Sequence, residues 1–396
     1  MKPDHLIEEF YRQLADVSQS KLDTAIASVI DAKRNGGKVV VVTGSGPNMH
    51  EGVTTLIAEM IHKGLIDGVT TSAAVIAHEM AGSLDRVKRV NGKELGFEKD
   101  ILPRGDVFEV TMMAPGLLEE LRKEMLLDED LIQRVLAAKG ETIIKAAGNM
   151  AYPMGLRTEL LAKEIMIIAR SRGIPFETVA GAAADEHTML GAAFKKGIPL
   201  LVTIPQLVGG GMVGLAIGDS ISLTERASKI ASMLAGAQVI IESAVALTQE
   251  IHDGPFETYT GHGIWSRWEG LPTYSLEGKT LIRIDTDPNL LKAWQFEKES
   301  KQVQEAIDKG LPKTKLMDIP FRMEMSGFAR LEKSIPVVGD IGKVWPVMAH
   351  RISKALDIPL DFISWPQDIE QGRQMREWIV EQVRPLDRKK LQRTNF

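Results

Sequence analysis

Histidines and carboxylates of this chain gather in short polar segments that follow apolar runs or lie among glycines. Imidazole and carboxyl groups are the side chains that most often move protons in enzymes, so these segments are candidates for general acid–base chemistry. The catalytic candidates are His50, His78, Glu79 and Asp185, and the candidates for substrate contact beside them are Glu186, His187 and His262. For any single residue of this kind a surface or satisfied core role is commoner, whereas the set as a whole indicates a site.

A metal ion is the alternative occupant of such a set of histidines and carboxylates. No pair among them has the H-E-x-x-H spacing or a similar one that holds a metal on one helix face. We therefore predict no metal site.

A glycine turn follows the apolar run 38–43 and precedes a segment with helical spacing, 53–62. The turn contains Gly44, Ser45, Gly46 and Gly52, a spacing that differs from the G-x-G-x-x-G of dinucleotide-binding loops. Glycines here let the backbone approach a ligand, and the following helix offers free N–H groups to a phosphate. We predict a nucleotide-binding loop, with a tight strand–helix turn that binds nothing as the alternative.

Three further segments are predicted to complete the cofactor site. They supply Gly181, the run Gly209, Gly210 and Gly211, and the carboxylates Asp285 and Asp287 in IRIDTDP. Consecutive glycines serve either a close approach of the backbone or a flexible surface loop. A carboxylate at a strand end either accepts hydrogen bonds from ribose hydroxyls or starts a turn before Pro288. The residues alone leave both choices open.

Aromatic side chains are concentrated in ETYTGHGIWSRWE, residues 257–269. Trp265 and Trp268 offer flat surfaces to a cation or a ring, so we include them among the substrate-binding candidates. Ordinary packing in a core or an interface is the alternative.

Composition excludes several classes of protein. The chain has 396 residues, enough for two domains or one elaborated domain, and its net charge of −5 argues against a broad basic surface for nucleic acid. It has no cysteine, which excludes disulfides and thiolate chemistry. No apolar run reaches the length of a membrane span, and the amino-terminal stretch has no apolar signal core. We expect a cytoplasmic protein without a membrane or nucleic-acid partner.

Strand-like and helical segments alternate over most of the chain. Strands are expected at 38–43, 65–71, 176–180, 200–204, 238–242 and 281–285, and helices at 6–34, 53–62, 73–84, 117–139, 156–172, 188–196 and 222–234. This alternation predicts an α/β fold with a mostly parallel sheet and helices on both faces. Residues 85–115 read as a charged, irregular excursion. We expect an amino-terminal helical segment at 1–37, a nucleotide-binding domain at 38–294 and a helical extension or cap at 295–396.

These motifs, taken in order, resemble the carboxyl-terminal domain of the archaeal bifunctional LOR/SDH proteins, relatives of the NAD-dependent ornithine cyclodeaminase domain of arginine dihydrolase fusion enzymes. The resemblance rests on Gly46-Pro47, His50, Gly52, Leu56-Ile57, Gly64, Asp67, Ala77, His78-Glu79, Gly173, Pro175-Phe176, Ala180-Gly181, Asp185-Glu186, Asp285, Asp287 and Pro288. It covers about residues 38–290. It implies a deoxyhypusine synthase-like NAD-binding fold and NAD as a tightly held redox cofactor.

A more distant resemblance is to deoxyhypusine synthase itself. The shared order is Gly209-Gly210-Gly211, a helix, Ala235-Gly236-Ala237, a strand and then a tryptophan. That synthase carries its substrate on a lysine just after the tryptophan, whereas Trp268 is followed here by Glu269 and Gly270. The covalent lysine is therefore missing.

The resemblance implies an ornithine cyclodeaminase-like enzyme that oxidises the Cα–N bond of a small amino acid or amine to an imine and then returns the hydride. The alternatives are a deoxyhypusine or homospermidine synthase-like transferase without the covalent lysine, and a nucleotide-binding regulatory or scaffold protein without turnover. We expect a homo-oligomer, a dimer or a tetramer, since related folds often place their sites near interfaces.

Overall fold

The computed structural model describes residues 3–44, 46–148, 150–203, 210–244, 270, 276–311 and 331–396. These residues divide into two compact units. The first unit comprises Met1–Thr71, Lys196–Thr203 and Ser222–Pro366, and the second comprises Ser72–Lys195, Ile204–Ile221 and Gln367–Phe396.

The first unit is built on a six-stranded parallel sheet. Its strands are β1 Val39–Thr43, β2 Gly68–Thr71, β6 Leu200–Val202, β7 Val239–Ser243, β8 Thr280–Asp285 and β9 Ser334–Val338, in the order β6-β2-β1-β7-β8-β9. Its helices are α1 Pro3–Gln13, α2 Asp16–Arg34, α3 Pro47–His50, α4 Val53–His62, α12 Leu223–Ala235, α13 Asn289–Glu299, α14 Lys301–Asp308 and α15 Ile341–Leu356. The predicted α/β class with a parallel sheet is confirmed.

Helices cover this sheet on both faces because its strands are apolar on both sides, as buried parallel strands are. On one face Val40, Ile240 and Leu281 pack against Ile230 and Leu234 of α12. On the other face α2 and α15 pack against the strands and against each other. The core around the sheet is therefore apolar beneath the edge where the strands end.

The second unit contains a three-stranded antiparallel sheet in the order β4-β3-β5. Its strands are β3 Leu84–Asn91, β4 Val107–Thr111 and β5 Gly140–Ala146, and its helices are α5 Ala73–Met80, α6 Pro115–Glu124, α7 Glu129–Ala137, α8 Met154–Arg172, α9 Phe176–Ala183, α10 Met189–Lys196, α11 Gly211–Ser220, α16 Glu370–Gln382 and α17 Arg388–Arg393. Short 3₁₀ helices span Gly92–Leu95 and Lys99–Ile101. Val90 and Val110 of the sheet pack against Leu131 and Val135 of α7.

Four predictions of local structure were wrong. The single helix expected over 6–34 is two helices, α1 and α2. The expected strand 176–180 is helix α9, because Phe176, Val179, Ala180 and Ala183 are buried at helical spacing after Pro175. The irregular excursion 85–115 contains β3 and β4, whose charged residues lie on partly exposed faces. The single helix expected over 117–139 is two helices, since Asp128 caps a new one by accepting a hydrogen bond from the Leu131 N–H.

The carboxyl-terminal part, expected as a helical extension or cap, also contains a strand. Strand β9 within it pairs in parallel with β8 at the edge of the main sheet. The expected segments 1–37, 38–294 and 295–396 do not coincide with the two units, because the chain passes between them several times. The amino-acid composition does not change where the chain crosses from one unit to the other, so these crossings could not be predicted from the sequence.

Candidate functional site

The order of the main sheet reverses between β1 and β7. The chain adds β2 and then β6 on one side of β1, and afterwards adds β7, β8 and β9 on the other side. In chain order the sheet is therefore 3-2-1-4-5-6, the arrangement of doubly wound dinucleotide-binding folds. Such sheets leave a crevice outside the carboxyl ends of the strands where the order reverses. Gly44 and Gly46 follow β1 at this place, and Ala244 follows β7.

Gly46 is the best-supported cofactor candidate at this edge. Its φ is 64°, a left-handed conformation that glycine adopts without strain. A Cβ placed on Gly46 would meet no atom of the described residues within 4 Å, so those residues leave the space beside its backbone open. Gly52 has φ of 68° between α3 and α4, where the chain must turn. Gly46 can thus admit a ligand, whereas the conformation of Gly52 is explained by the turn.

A buried hydrogen-bond network holds the two strand ends that flank the crevice. The side-chain amide of Asn48 donates to the Ser243 carbonyl at 3.2 Å, and the Ser243 hydroxyl donates to Asn48 Oδ1 at 2.6 Å. Trp345 Nε1 of α15 donates to Ser243 Oγ at 2.7 Å. All three residues are fully buried. The network joins the loop after β1, the end of β7 and α15, so it positions the edge without itself being exposed to a ligand.

Two buried charged side chains lie near the same edge, on the face of the sheet opposite to the Ser243 side chain. Glu242 of β7 and Arg283 of β8 are neighbours in register and are almost fully buried. Arg283 Nη2 also lies 3.5 Å from Asp285 Oδ2. Charged side chains are almost never buried completely without a partner or a function. Sequence reasoning missed this pair, although a charge inside an otherwise apolar strand is a signal that it could have used.

Asp285 and Asp287 are engaged in the turn after β8. Asp285 Oδ1 accepts a hydrogen bond from the Asp287 N–H at 3.1 Å. Asp287 Oδ1 accepts from the N–H and from the side-chain amide of Asn289, both at 2.9 Å. These bonds favour the turn-forming role over the ribose-binding role that the sequence had left open beside it.

His78 lies in the last turn of α5 in the second unit, partly buried. Its Nδ1 is 2.8 Å from the Ala147 carbonyl, and a carbonyl can only accept, so the neutral ring carries its proton on Nδ1 and has a lone pair on Nε2. Burial lowers the pKa of His78, which favours that neutral ring at pH 7, and the hydrogen bond to Ala147 opposes the effect. His78 therefore has the form of a general base.

Asp85 is a second titratable group beside the same loop, and the sequence analysis missed it. Its Oδ2 accepts a hydrogen bond from the Gly148 N–H at 3.3 Å. Burial raises the pKa of Asp85 to about 7, opposed by this bond and by the charge of Lys145. Asp85 stands opposite Lys145 in the pairing of β3 with β5. His78 and Asp85 thus bond to consecutive residues, Ala147 and Gly148, and burial lowers the pKa of His78 while it raises that of Asp85.

Glu79 is fully buried and bonds to the start of α10. Its two carboxylate oxygens accept hydrogen bonds from the N–H groups of Met189 and Leu190, each at 2.9 Å. Burial raises the pKa of Glu79 to about 7, although both hydrogen bonds lower it. This geometry favours a structural role in holding the first turn of α10.

Asp185 also bonds to backbone, in the loop between α9 and α10. Its Oδ1 accepts from the N–H of His187 at 2.9 Å and faces His187 Nδ1 at 2.8 Å, while Oδ2 accepts from the Arg384 N–H at 3.1 Å. The His187 ring meets Trp378 edge to face at 5.4 Å. Glu186 forms an ion pair with Lys195. The expectation that this loop follows a strand was wrong because α9 precedes it.

Two of the candidate glycines are explained by packing between helices of the second unit. A Cβ on Gly181 would lie 2.7 Å from the Leu190 carbonyl oxygen, and one on Gly210 would lie 2.7 Å from Ala73 Cβ. Gly211 has φ of 52°, and a Cβ there would lie 2.9 Å from Glu159 Oε1. Close approach of helices, rather than of a ligand, requires glycine at Gly181 and Gly210.

The candidates therefore do not all lie in one unit. Gly44, Gly46, His50, Gly52, Asp285 and Asp287 belong to the first unit, and His78, Glu79, Gly181, Asp185, Glu186, His187, Gly210 and Gly211 belong to the second. His50, the last residue of α3, is partly buried. Ser45, Gly209, His262, Trp265 and Trp268 lie outside the described residues.

Among the described residues, no group of three or more histidine and carboxylate side chains could hold a metal ion. None of the helices described is both long enough and apolar enough to cross a membrane.

Comparison with known proteins gave likeness in structure alone. No protein-family model matches the chain, and no curated protein matches it. The cyanobacterial arginine dihydrolase ArgZ is 10% identical with a TM-score of 0.38, over 84% of this chain and 32% of ArgZ. A provisionally named LOR/SDH protein of Methanococcus maripaludis is 13% identical with a TM-score of 0.40, over 85% of this chain and 67% of that one.

A provisionally named deoxyhypusine synthase of Entamoeba histolytica is 11% identical with a TM-score of 0.43, over 89% of this chain and 93% of that one. The chain thus spans about a third of the length of ArgZ and most of the length of the Entamoeba protein. At these identities and scores nothing about activity follows from the likeness.

Proposed function

We propose that the chain binds NAD at the carboxyl edge of β1 and β7 and acts as an NAD-dependent enzyme on a small amino acid or amine. The observation that carries the nucleotide site is the reversal of strand order at β1 and β7, with open space beside the left-handed Gly46. The choice of NAD and of an amine substrate rests on the sequence resemblance to ornithine cyclodeaminase-type domains.

The residues present fit the phosphate part of NAD better than the adenosine ribose. Gly46 leaves room for a pyrophosphate against the backbone. The usual acidic residue for the ribose stands at the end of the second strand, about 20 residues after the glycines. Here Ser72 follows β2 and caps α5, while Asp67 lies at the other end of β2 and accepts from the Val39 N–H at 2.8 Å. The ribose must therefore be bound by a different group than in standard dinucleotide folds.

NAD, when bound, accepts and returns a hydride. Proton transfer is left to the side chains of the protein, and we assign it to His78. The lone pair on Nε2 suits His78 to remove a proton from a protonated amine, and its lowered pKa keeps that lone pair free at neutral pH. Asp85, with its pKa near 7, is the second group suited to hold a proton there.

A nucleotide-binding protein without turnover is the second candidate. Glu79 and Asp185 direct their carboxylate oxygens at backbone N–H groups, so two of the four predicted catalytic residues have structural roles sufficient to explain them. Under this alternative the nucleotide site is retained and His78 serves only to bind the loop at Ala147.

The nucleotide site is tested by a matched pair of glycine variants. Gly46→Ala and Gly36→Ala place a methyl group at φ of 64° and 71°, and neither Cβ would meet an atom of the described residues within 4 Å. Each should cost about 1–3 kcal/mol of backbone strain, since glycine adopts such positive φ values most readily and the ψ of −114° at Gly46 lies outside the left-handed helical region. Gly36 precedes β1, at the opposite end from the crevice. We expect calorimetric NAD affinity to fall at least tenfold in Gly46→Ala alone. Equal affinities in the two variants would exclude this site.

Turnover is tested separately with His78. Nucleotide released by denaturing the purified protein is first identified by mass spectrometry, and ornithine, other basic amino acids and polyamines are then screened for ammonia release. An enzyme should lose most of its activity in His78→Gln while its NAD affinity stays unchanged. Bound NAD with no turnover of any of these amines would favour the binding protein.

A further inference from the structure

Helix α8 presents an apolar stripe to solvent. Its buried side faces α9 and α11, yet Leu156, Leu160 and Ile167 are exposed on the opposite side, Ile167 by 64%. At 100° per residue these three side chains fall within about 40° of one another around the helix axis. Isolated exposed leucines are ordinary, but aligned ones on a 19-residue helix form a seam suited to another helix.

Helix α11 extends this seam. A Cβ on Gly211 would lie 2.9 Å from Glu159 Oε1, so the start of α11 adjoins the exposed side of α8. Leu215, one turn further along α11, is also exposed. We call Leu156, Leu160 and Ile167 of α8 together with Leu215 of α11 the α8 surface.

The charges beside the seam indicate what covers it. Glu159, Lys163 and Arg170 are exposed and lie within about 40° of one another along one flank of the seam. None of the three forms an ion pair with any residue in the described ranges, whereas Glu164 on the other flank is paired with Arg388 at 2.8 Å. The flank is acidic toward the amino end of α8 and basic toward its carboxyl end.

Such a flank is complementary to itself only in an antiparallel arrangement. When two helices pack antiparallel, each flank faces the same flank of its partner. A twofold axis midway between Glu159 and Arg170 places Glu159 of each copy opposite Arg170 of the other copy. The contact therefore contains two such pairs. The same axis brings Leu160 of one copy to within about 3 Å, along the helix, of Ile167 of the other. In a parallel arrangement this flank would instead face the other flank of the partner helix, and Glu159 would not meet Arg170.

We propose that the α8 surface binds a second copy of this chain, with the two α8 helices antiparallel across a twofold axis. The contact buries the aligned leucine and isoleucine side chains and closes two Glu159–Arg170 ion pairs between the copies. The proposal is independent of the nucleotide site, since it uses only exposed residues of α8 and α11.

Sedimentation velocity of the full chain at micromolar concentration tests the apolar seam. The unaltered protein should be a dimer, and the double variant Leu160→Glu, Ile167→Glu should be monomeric. Leu126→Glu is the matched control, because Leu126 is 96% exposed in the same unit and is not part of the α8 surface, and it should remain dimeric. A monomeric unaltered protein, or a double variant that still dimerises, would overturn the proposal.

A charge exchange tests the antiparallel pairing and excludes damage to folding as an explanation. Glu159→Arg places two arginine pairs in the contact and Arg170→Glu places two glutamate pairs there, so each variant alone should lose most of its dimer. An equimolar mixture of the two should dimerise again, because every pair in the mixed dimer is then of opposite charge. A mixture that stays monomeric would show that these residues do not meet.

Discussion

The pH dependence of stability at Glu79 can be worked out from the structure. The carboxyl is fully buried, and burial raises the pKa of Glu79 from its ordinary 4.5 to about 7. The folded protein therefore holds this proton more tightly than the unfolded chain does. The stability contributed by the protonated form is fully present below pH 4.5 and is lost as the pH rises through 7. At about 1.4 kcal/mol for each unit of pKa, the loss is about 3 kcal/mol.

The replacement Glu79→Gln removes the titration and keeps the shape of the side chain. Its amide oxygen accepts from one of the Met189 and Leu190 N–H groups, but its NH2 faces the other, which costs about 1–3 kcal/mol at every pH. We therefore expect the unaltered protein to be more stable than the variant at pH 5. By pH 8 that advantage should have vanished or reversed, because only the unaltered protein carries a buried charge.

The assay is urea denaturation of both proteins at pH 5, 6, 7 and 8, together with hydrogen exchange of the amides in α10. The contribution of Asp85, whose pKa is also raised by burial, is common to both proteins and cancels in the difference. Glu186→Gln is the control, since an exposed ion pair changes stability by less than about 1 kcal/mol. An advantage of the unaltered protein that grows with pH would refute the reasoning. It would show that the hydrogen bonds from the Met189 and Leu190 N–H groups stabilise the carboxylate of Glu79 more than burial destabilises it.

Three further replacements test other contacts by urea denaturation. Asn48→Ala should cost about 2–4 kcal/mol, because it leaves the buried hydroxyl and carbonyl of Ser243 with fewer partners. Arg157→Met should cost about 3–5 kcal/mol, since it leaves the carboxylate of Glu124 without the two hydrogen bonds of 2.6 and 3.1 Å that Arg157 donates to it. Arg134→Met is the control, because it breaks only exposed contacts, the ion pair with Asp130 and a hydrogen bond to the Leu95 carbonyl, and it should cost about 1 kcal/mol. Asp128→Ala should cost about 1 kcal/mol through the lost cap of α7. A cost for Arg157→Met no larger than that for Arg134→Met would contradict the burial of the first pair.

The central strands could be predicted because buried parallel strands are continuous apolar runs. Val39–Thr43 and Val239–Ser243 are buried along their whole length, and their sequences show it. Strand β3 was missed because Asp85, Arg86, Lys88 and Arg89 interrupt any apolar run, as they can in a strand with partly exposed faces. Propensity and periodicity describe one segment at a time. They therefore identify strands that are continuous apolar runs and overlook strands that charged residues interrupt.

The order of the strands could not be predicted from the same patterns. Strands β1 and β7 are neighbours in the sheet although most of the second unit lies between them in sequence. Their pairing depends on which helices cover which face, a property of the assembled unit. The sequence therefore predicted a nucleotide on the glycine loop after β1 and on three further segments, without the crevice beside β7. Asn48 and Trp345, which hold the walls of that crevice, had no signal of their own.

The chemistry of the individual candidates likewise depended on partners that the sequence does not show. His78 and Glu79 are adjacent, and sequence reasoning treated them alike. In the structure Glu79 bonds to two backbone N–H groups of α10, while His78 bonds to one carbonyl and keeps a lone pair. The side chains differ because successive residues of a helix point about 100° apart.

The composition of the main sheet itself points to its carboxyl edge as the place of function. On the face toward α12, the row Gly68, Val40, Ile240 and Leu281 is apolar, whereas the next row toward the edge contains Thr70, Glu242 and Arg283. On the other face Val41 and Ile241 are followed by Thr43 and Ser243. A sheet selected for packing alone would stay apolar, because burying charge costs several kcal/mol per ion. Both faces become polar at the same end, next to Gly46, where the reversal of strand order leaves room for a ligand.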